Sequence, residues 1–79
     1  MKKGIDGMTF EMTKVESALI SYLGFDEEKR FLLIEFIRGP VYIYNEVPKS
    51  VYDALLSAEI PDDFFNSNIR YVYKNRRVW

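Results

Sequence analysis

The chain is expected to fold as an α+β domain: a three-stranded antiparallel β-meander with two helices on one face and an extended C-terminal tail. Three observations carry this reading. Arg30 to Arg38 alternates as a strand, with Leu32, Ile34 and Phe36 on one face and Phe31, Leu33, Glu35 and Ile37 on the other. Both faces are largely apolar, as a central strand requires. Gly39-Pro40 then turns the chain into Val41-Tyr42-Ile43-Tyr44, and Val47-Pro48 stops that strand before an amphipathic segment in which Val51, Leu55 and Ala58 recur at helical spacing.

The remaining elements follow in order. Residues 1–14 are taken as an N-terminal arm, frayed over Met1 to Asp6, where glycine and charge leave little to tie the chain down. Thr9 to Thr13 alternates polar and apolar and fits either a short strand or an extended arm. Ser17 to Phe25 is the first strand of the domain at 15–73, preferred over a helix because Gly24 and the polar turn Asp26-Glu27-Glu28-Lys29 fit a hairpin. With Gly39-Pro40 as a two-residue loop, Phe36 faces Ile43 and Glu35 faces Tyr44. That register gives one face of Ile34, Phe36, Val41 and Ile43 for the helices, and a tyrosine face of Tyr42 and Tyr44 on the other side. Ser50-Val51-Tyr52-Asp53 matches a capping box and is expected to open the first helix. Pro61-Asp62-Asp63 opens a second, shorter helix that buries Phe64, Phe65 and Ile69, because proline suits the first helical position and carboxylates suit the positive helix start. Residues 74–79 form a basic and aromatic tail, extended or frayed.

Composition narrows the function classes. The chain has 79 residues, no cysteine and no histidine. A domain this small buries roughly 60% of its unfolded surface, so six Phe, six Tyr and one Trp have to supply much of the core. Lacking histidine, it lacks the usual general base and the commonest transition-metal ligand. None of its serines has a partner to activate it, and no glycine-rich phosphate loop occurs. The acidic groups Asp26-Glu27-Glu28 and Asp62-Asp63 are explained by turn and helix-start chemistry. The chain is therefore expected to be non-catalytic, with no cofactor and no metal. No run reaches the length of a membrane helix and Gly4-Ile5-Asp6-Gly7 interrupts any signal-like segment, so a cytoplasmic location away from membranes is expected.

Eleven basic and twelve acidic residues nearly balance, but they are not evenly spread. Ile69 to Trp79 carries basic and aromatic residues and no acid. Cations that neutralise phosphates beside rings that stack on bases suit RNA or single-stranded nucleic acid. The candidate contacts are Tyr42, Tyr44 and Tyr73 for stacking, and Arg70, Lys74, Arg76 and Arg77 for phosphates. The alternative partner is another protein, with the chain acting as an adaptor or inhibitor that docks its tyrosine face or its Trp79 tail.

An ordered set of short pieces resembles the KTSC domain, named for the C-terminus of some lysyl-tRNA synthetases and also found as stand-alone small proteins. The pieces are Val15-Glu16-Ser17-Ala18, Phe25-Asp26, Leu33-Ile34-Glu35-Phe36 followed by Gly39, Val41-Tyr42-Ile43-Tyr44, Val47-Pro48, Val51-Tyr52 with Leu55-Leu56 and Ala58, then Phe65-Asn66, Ile69-Arg70 and Tyr73. The resemblance implies a small α+β domain with a role in RNA binding. One segment departs from the family pattern. Where a small residue and glycine usually precede the aromatic-Phe-Asn piece, this chain has Glu59-Ile60-Pro61-Asp62-Asp63. That acidic stretch is expected to repel phosphate and to hold any RNA affinity to micromolar or weaker.

Overall fold

The computed structural model describes residues 2–5 and 7–79. The order of elements is β1 (Lys2–Ile5), β2 (Met8–Lys14), β3 (Ile20–Asp26), β4 (Phe31–Phe36), β5 (Val41–Tyr44), α1 (Lys49–Ser57), α2 (Pro61–Asn68) and β6 (Asn75–Arg77). The α+β class and the two helices agree with the sequence, but the sheet has six antiparallel strands in sequential order, not three. The additional strands come from the stretches read as arm and tail. β1 pairs with β2 through Lys2↔Glu11 to Ile5↔Met8, and β6 pairs with β5 through Tyr42↔Arg77 to Tyr44↔Asn75. Met1 and Asp6, which the frayed-terminus reading includes, lie outside the described residues.

The sheet is covered on both faces. On one, Ile20, Leu23, Leu32, Ile34 and Tyr44 pack with Val47, Leu55, Phe65 and Ile69 from the helices and their connections. On the other, the β1–β2 hairpin curls back so that Ile5, Phe10 and Met12 pack on Leu33, Val41 and Ile43. Lys3 closes this second layer, with its ammonium 2.9 Å from a Glu35 carboxylate oxygen and 5.1 Å from the centre of the Trp79 ring. The hairpin can lie this close because β3 carries Gly24 beneath it. A Cβ on Gly24 would stand 2.6 Å from Met12 Sδ and 3.2 Å from Phe10 Cβ.

The alternation expected for β4 is found, with Leu32, Ile34 and Phe36 toward the helices and Leu33 toward the hairpin. The register expected for β5 is not. Glu35 opposes Val41, Ile34 opposes Tyr42 and Leu32 opposes Tyr44. The corner is longer than two residues. Phe36 N–H donates to Pro40 O at 3.0 Å and Gly39 N–H donates to Phe36 O at 2.9 Å, so Ile37, Arg38 and Gly39 make a three-residue loop. Gly39 takes φ 109°, the left-handed residue that such a loop needs before the next strand. The pairing is displaced by three residues, an odd number, and an odd displacement turns every side chain over. Tyr42 and Tyr44 therefore face the helices, while Val41 and Ile43 face the hairpin.

The helix starts divide the same way. α2 begins at Pro61 with Asp62 and Asp63 in its first turn, as expected. α1 begins at Lys49, one residue before the expected cap, and Ser50 lies inside it. Pro48 is extended (φ −65°, ψ 146°) and its carbonyl accepts from the amides of Val51 (3.0 Å) and Tyr52 (3.4 Å), which leaves the Ser50 hydroxyl no capping duty. A different serine does comparable work. Ser17 Oγ accepts from the amides of Leu19 (3.1 Å) and Ile20 (3.0 Å) and donates to Asp62 Oδ1, while Asp62 Oδ2 accepts from the Ala18 amide at 3.2 Å. Asp62 thus ties the start of α2 to the β2–β3 connection. Ser17→Ala should destabilise the domain by about 1–2 kcal/mol, because two backbone donors and a carboxylate lose one shared partner. Ser50→Ala should stay within about 0.5 kcal/mol of the parent in urea unfolding. Equal midpoints for the two variants would contradict this assignment.

Candidate functional site

The turned-over β5 places its tyrosines in a wall, not on an open platform. Four rings form a closed circuit on the helix side of the sheet. Phe36 meets Tyr42 edge-on at 5.7 Å between ring centres, and Tyr42 lies 6.5 Å from Tyr44. Tyr44 meets Phe65 edge-on at 5.9 Å, and Phe65 returns to Phe36 at 5.6 Å. These rings, with Leu19 and Arg70, line a cleft of about 240 Å³. Tyr44 and Phe65 form its floor, at 4% and 2% exposure, while Phe36 and Tyr42 are half-buried at its sides. α2 positions Phe65, and the turn after it brings Arg70 to the lip, where its Nη1 donates to Asn66 Oδ1 at 3.2 Å. The Arg70 guanidinium also lies 5.3 Å from the centre of the exposed Tyr71 ring.

Electrostatics mark the floor. Burial pushes the Tyr44 phenol up to about 12, the neighbouring Tyr42 adds to the rise, and the Arg70 cation opposes it. The phenolate is the form the fold excludes. With the folded value above the unfolded one, the stabilisation is complete below about pH 10 and is lost as pH rises toward 12. Phenolate absorbance should therefore show a latest component near 12 that Tyr44→Phe removes. A Tyr44→Phe titration that keeps this component would assign it elsewhere.

The structure unites some of the sequence candidates and separates others. Tyr42, Tyr44 and Arg70 share the cleft. Arg77 opposes Tyr42 across β5 and β6, and opposed residues share a face, so Arg77 stands on the cleft side. Arg76 opposes Ile43 and belongs to the hairpin side. Tyr73 is half-buried against the helix-side core and, with Lys74, lines a separate hollow that includes Asn45 and Glu46. Tyr44 is too deeply buried to be the open stacking ring expected of it. Phe36, Phe65 and Leu19 also line the cleft, although from sequence alone each fits a core or strand role and carries no site signal. The parity of β4 does put Phe36 on the helix side, and a three-residue loop would have put the tyrosines beside it.

The acidic stretch is divided, with Asp62 bonded to Ser17 and Ala18 beside Leu19 of the aromatic cleft. Glu59 and Pro61 line a different cleft, with Lys14 and Glu16, that shares no lining residue with the aromatic one. Among the described residues, no group of three or more acidic or other ligand side chains is placed to hold a metal ion, and no helix is long and apolar enough to cross a membrane.

Comparison with known proteins identifies the family. The KTSC domain profile matches residues 16–73. The chain belongs to the KTSC domain family. A protein of Tsukamurella paurometabola is 39% identical over 59 residues, which cover 75% of this chain and 88% of the relative. A lysine–tRNA ligase of Nostoc punctiforme is 33% identical over 69 residues, 87% of this chain but 12% of the ligase. The crystal structure of a KTSC domain protein from Yersinia pestis superposes with a TM-score of 0.83 at 28% identity, covering 89% of this chain and 99% of that one. Both β1 and β2 precede the span matched by the profile, and β6 follows it.

Proposed function

We propose that this chain is a non-catalytic, cytoplasmic binding module for RNA or single-stranded nucleic acid, and that the aromatic cleft is its contact site. The observation that carries the reading is the juxtaposition of a half-buried tyrosine ring, Tyr42, with Arg70 on the lip of the same cleft; Arg77, opposite Tyr42 in the strand pair with its Nε–H on Trp79 O, is a second cation on that side of the sheet. A base stacked on Tyr42 or Phe36 would leave its phosphates toward the guanidinium groups. Tyr44 then acts as floor and not as a stacking partner. The kinship to a segment of a lysine–tRNA ligase supports the reading, since that enzyme works on an RNA. Glu59 lines another cleft, whereas the Asp62 carboxylate is held on the Ala18 amide beside Leu19 and is a local source of repulsion that keeps the expected affinity low.

Fluorescence anisotropy with a labelled single-stranded RNA at low salt tests the proposal. Arg70→Ala together with Arg77→Ala should weaken binding and flatten the salt slope by about 0.7 per lost phosphate contact. Tyr42→Ala should cost about 1–3 kcal/mol for a stacked base and leave that slope unchanged. Absence of binding at low salt would end the nucleic-acid reading. A second reading has its own support: Tyr71 and Trp79 are 85% and 67% exposed, and rings presented in this way anchor protein contacts. In that case affinity for the partner protein would change little with salt and fall on Trp79→Ala.

A further inference from the structure

The aromatic cleft does not end at Phe36. A second cleft of about 270 Å³, which includes Ile37, Arg38 and Pro40, shares both Leu19 and Phe36 with the first. The two make one groove with a cation at each end, Arg70 at one and Arg38 at the other. Its floor is not uniform. The Arg70 end is walled by four rings, and the Arg38 end by aliphatic side chains with Ile37 56% exposed. Among the described residues, Arg38 has no carboxylate partner.

The charge at the lips decides between occupants. Four aromatic faces would suit a cationic ligand, but Arg70 carries the same sign and repels one. The complementary ligand is a neutral planar ring attached to an anion at each end of the groove. A recessed floor also requires a ring that is free of stacking on both sides, which a duplex does not offer.

Building on the proposed function, we infer that the groove takes two successive nucleotides of a single strand, one base in the aromatic cleft with its phosphate on Arg70 and the next over Leu19, Ile37 and Pro40 with its phosphate on Arg38. The three-residue loop thereby becomes part of the site, although it lies far from the basic C-terminal run in sequence.

The test is a chemical-shift titration of the full chain with uridine monophosphate, 5′-phosphorylated UpU and a uridine tetranucleotide. The monophosphate should shift amides around Tyr42 and Arg70 alone, and the dinucleotide should add Ile37, Arg38 and Gly39. Affinity should rise roughly five- to hundredfold from one nucleotide to two, the range for one stacked base, and little from two to four. Arg38→Ala should erase most of that rise, lower the dinucleotide salt slope by about 0.7, and leave monophosphate binding unchanged. If Arg70→Ala weakens every ligand while Arg38→Ala weakens none, the second subsite is refuted and the proposed function stands. An equal gain with every added nucleotide would also refute it, because that pattern marks unspecific charge attraction. If no ligand binds and no amide shifts, both readings fall and the groove is left to a protein partner. Circular dichroism of each variant confirms that it is folded.

Discussion

Phe65→Ala is expected to be the most damaging single substitution at the site, costing about 3–5 kcal/mol. Phe65 is 2% exposed and closes the ring circuit, meeting Phe36 at 5.6 Å and Tyr44 at 5.9 Å. Truncation removes the contact that holds α2 to β4 and β5 and leaves a cavity under the cleft. Domains of this size have total stabilities near the low end of about 5–15 kcal/mol, so the variant should be partly unfolded at 37 °C. Each kcal/mol should lower the melting temperature by about 4–8 °C. Phe65→Leu keeps most of the volume and should recover much of the loss. A Phe65→Ala protein that melts within a few degrees of the parent would mean that α2 is not held through this ring.

Gly24→Ala should be the next most damaging, at about 1–3 kcal/mol, for the opposite reason. Here a methyl group is added where none fits. It would stand 2.6 Å from Met12 Sδ, 3.2 Å from Phe10 Cβ and 3.4 Å from Glu11 O. The thioether can swing aside, but Phe10 Cβ and Glu11 O are fixed to the β2 backbone, so the hairpin has to lift. The direct check is a double-mutant cycle. Met12→Ala alone opens a cavity, and in the Gly24→Ala background its cost should shrink because the new methyl fills part of that space. Strict additivity in urea unfolding would show that the two positions do not meet.

What the sequence makes legible follows from how local each determinant is. The alternation from Leu32 to Phe36 and the Pro61 helix start depend on neighbours within a few residues, and both are as expected. The loop length is different. Gly39-Pro40 marks a corner correctly, yet two-residue and three-residue loops are both open to that pair, and the choice turns Tyr42 and Tyr44 from one face to the other. Ser50 shows a local pattern overruled by its neighbour, since Pro48 starts the helix first. β1 and β6 were hidden for another reason. Lys2 to Ile5 and Asn75 to Arg77 have little strand character, and ladders to β2 and β5 hold them in place. Of the candidate residues, Tyr42, Tyr44 and Arg70 share one cleft and Arg77 stands on its side of the sheet, whereas Tyr73 and Lys74 line a separate hollow and Arg76 belongs to the hairpin side.

The two outermost strands have a consequence for solution behaviour. A sheet that starts at β1 and ends at β6 presents unpaired backbone at both margins, which is a template for joining one molecule to the next. The margins here are four and three residues long, and each carries adjacent cations, Lys2 with Lys3 and Arg76 with Arg77. The short length and the cations on both margins disfavour edge-to-edge pairing, with Lys3 partly offset by Glu35. Replacing Arg77 by a β-branched residue would remove one of these marginal charges and is expected to favour strand-to-strand association.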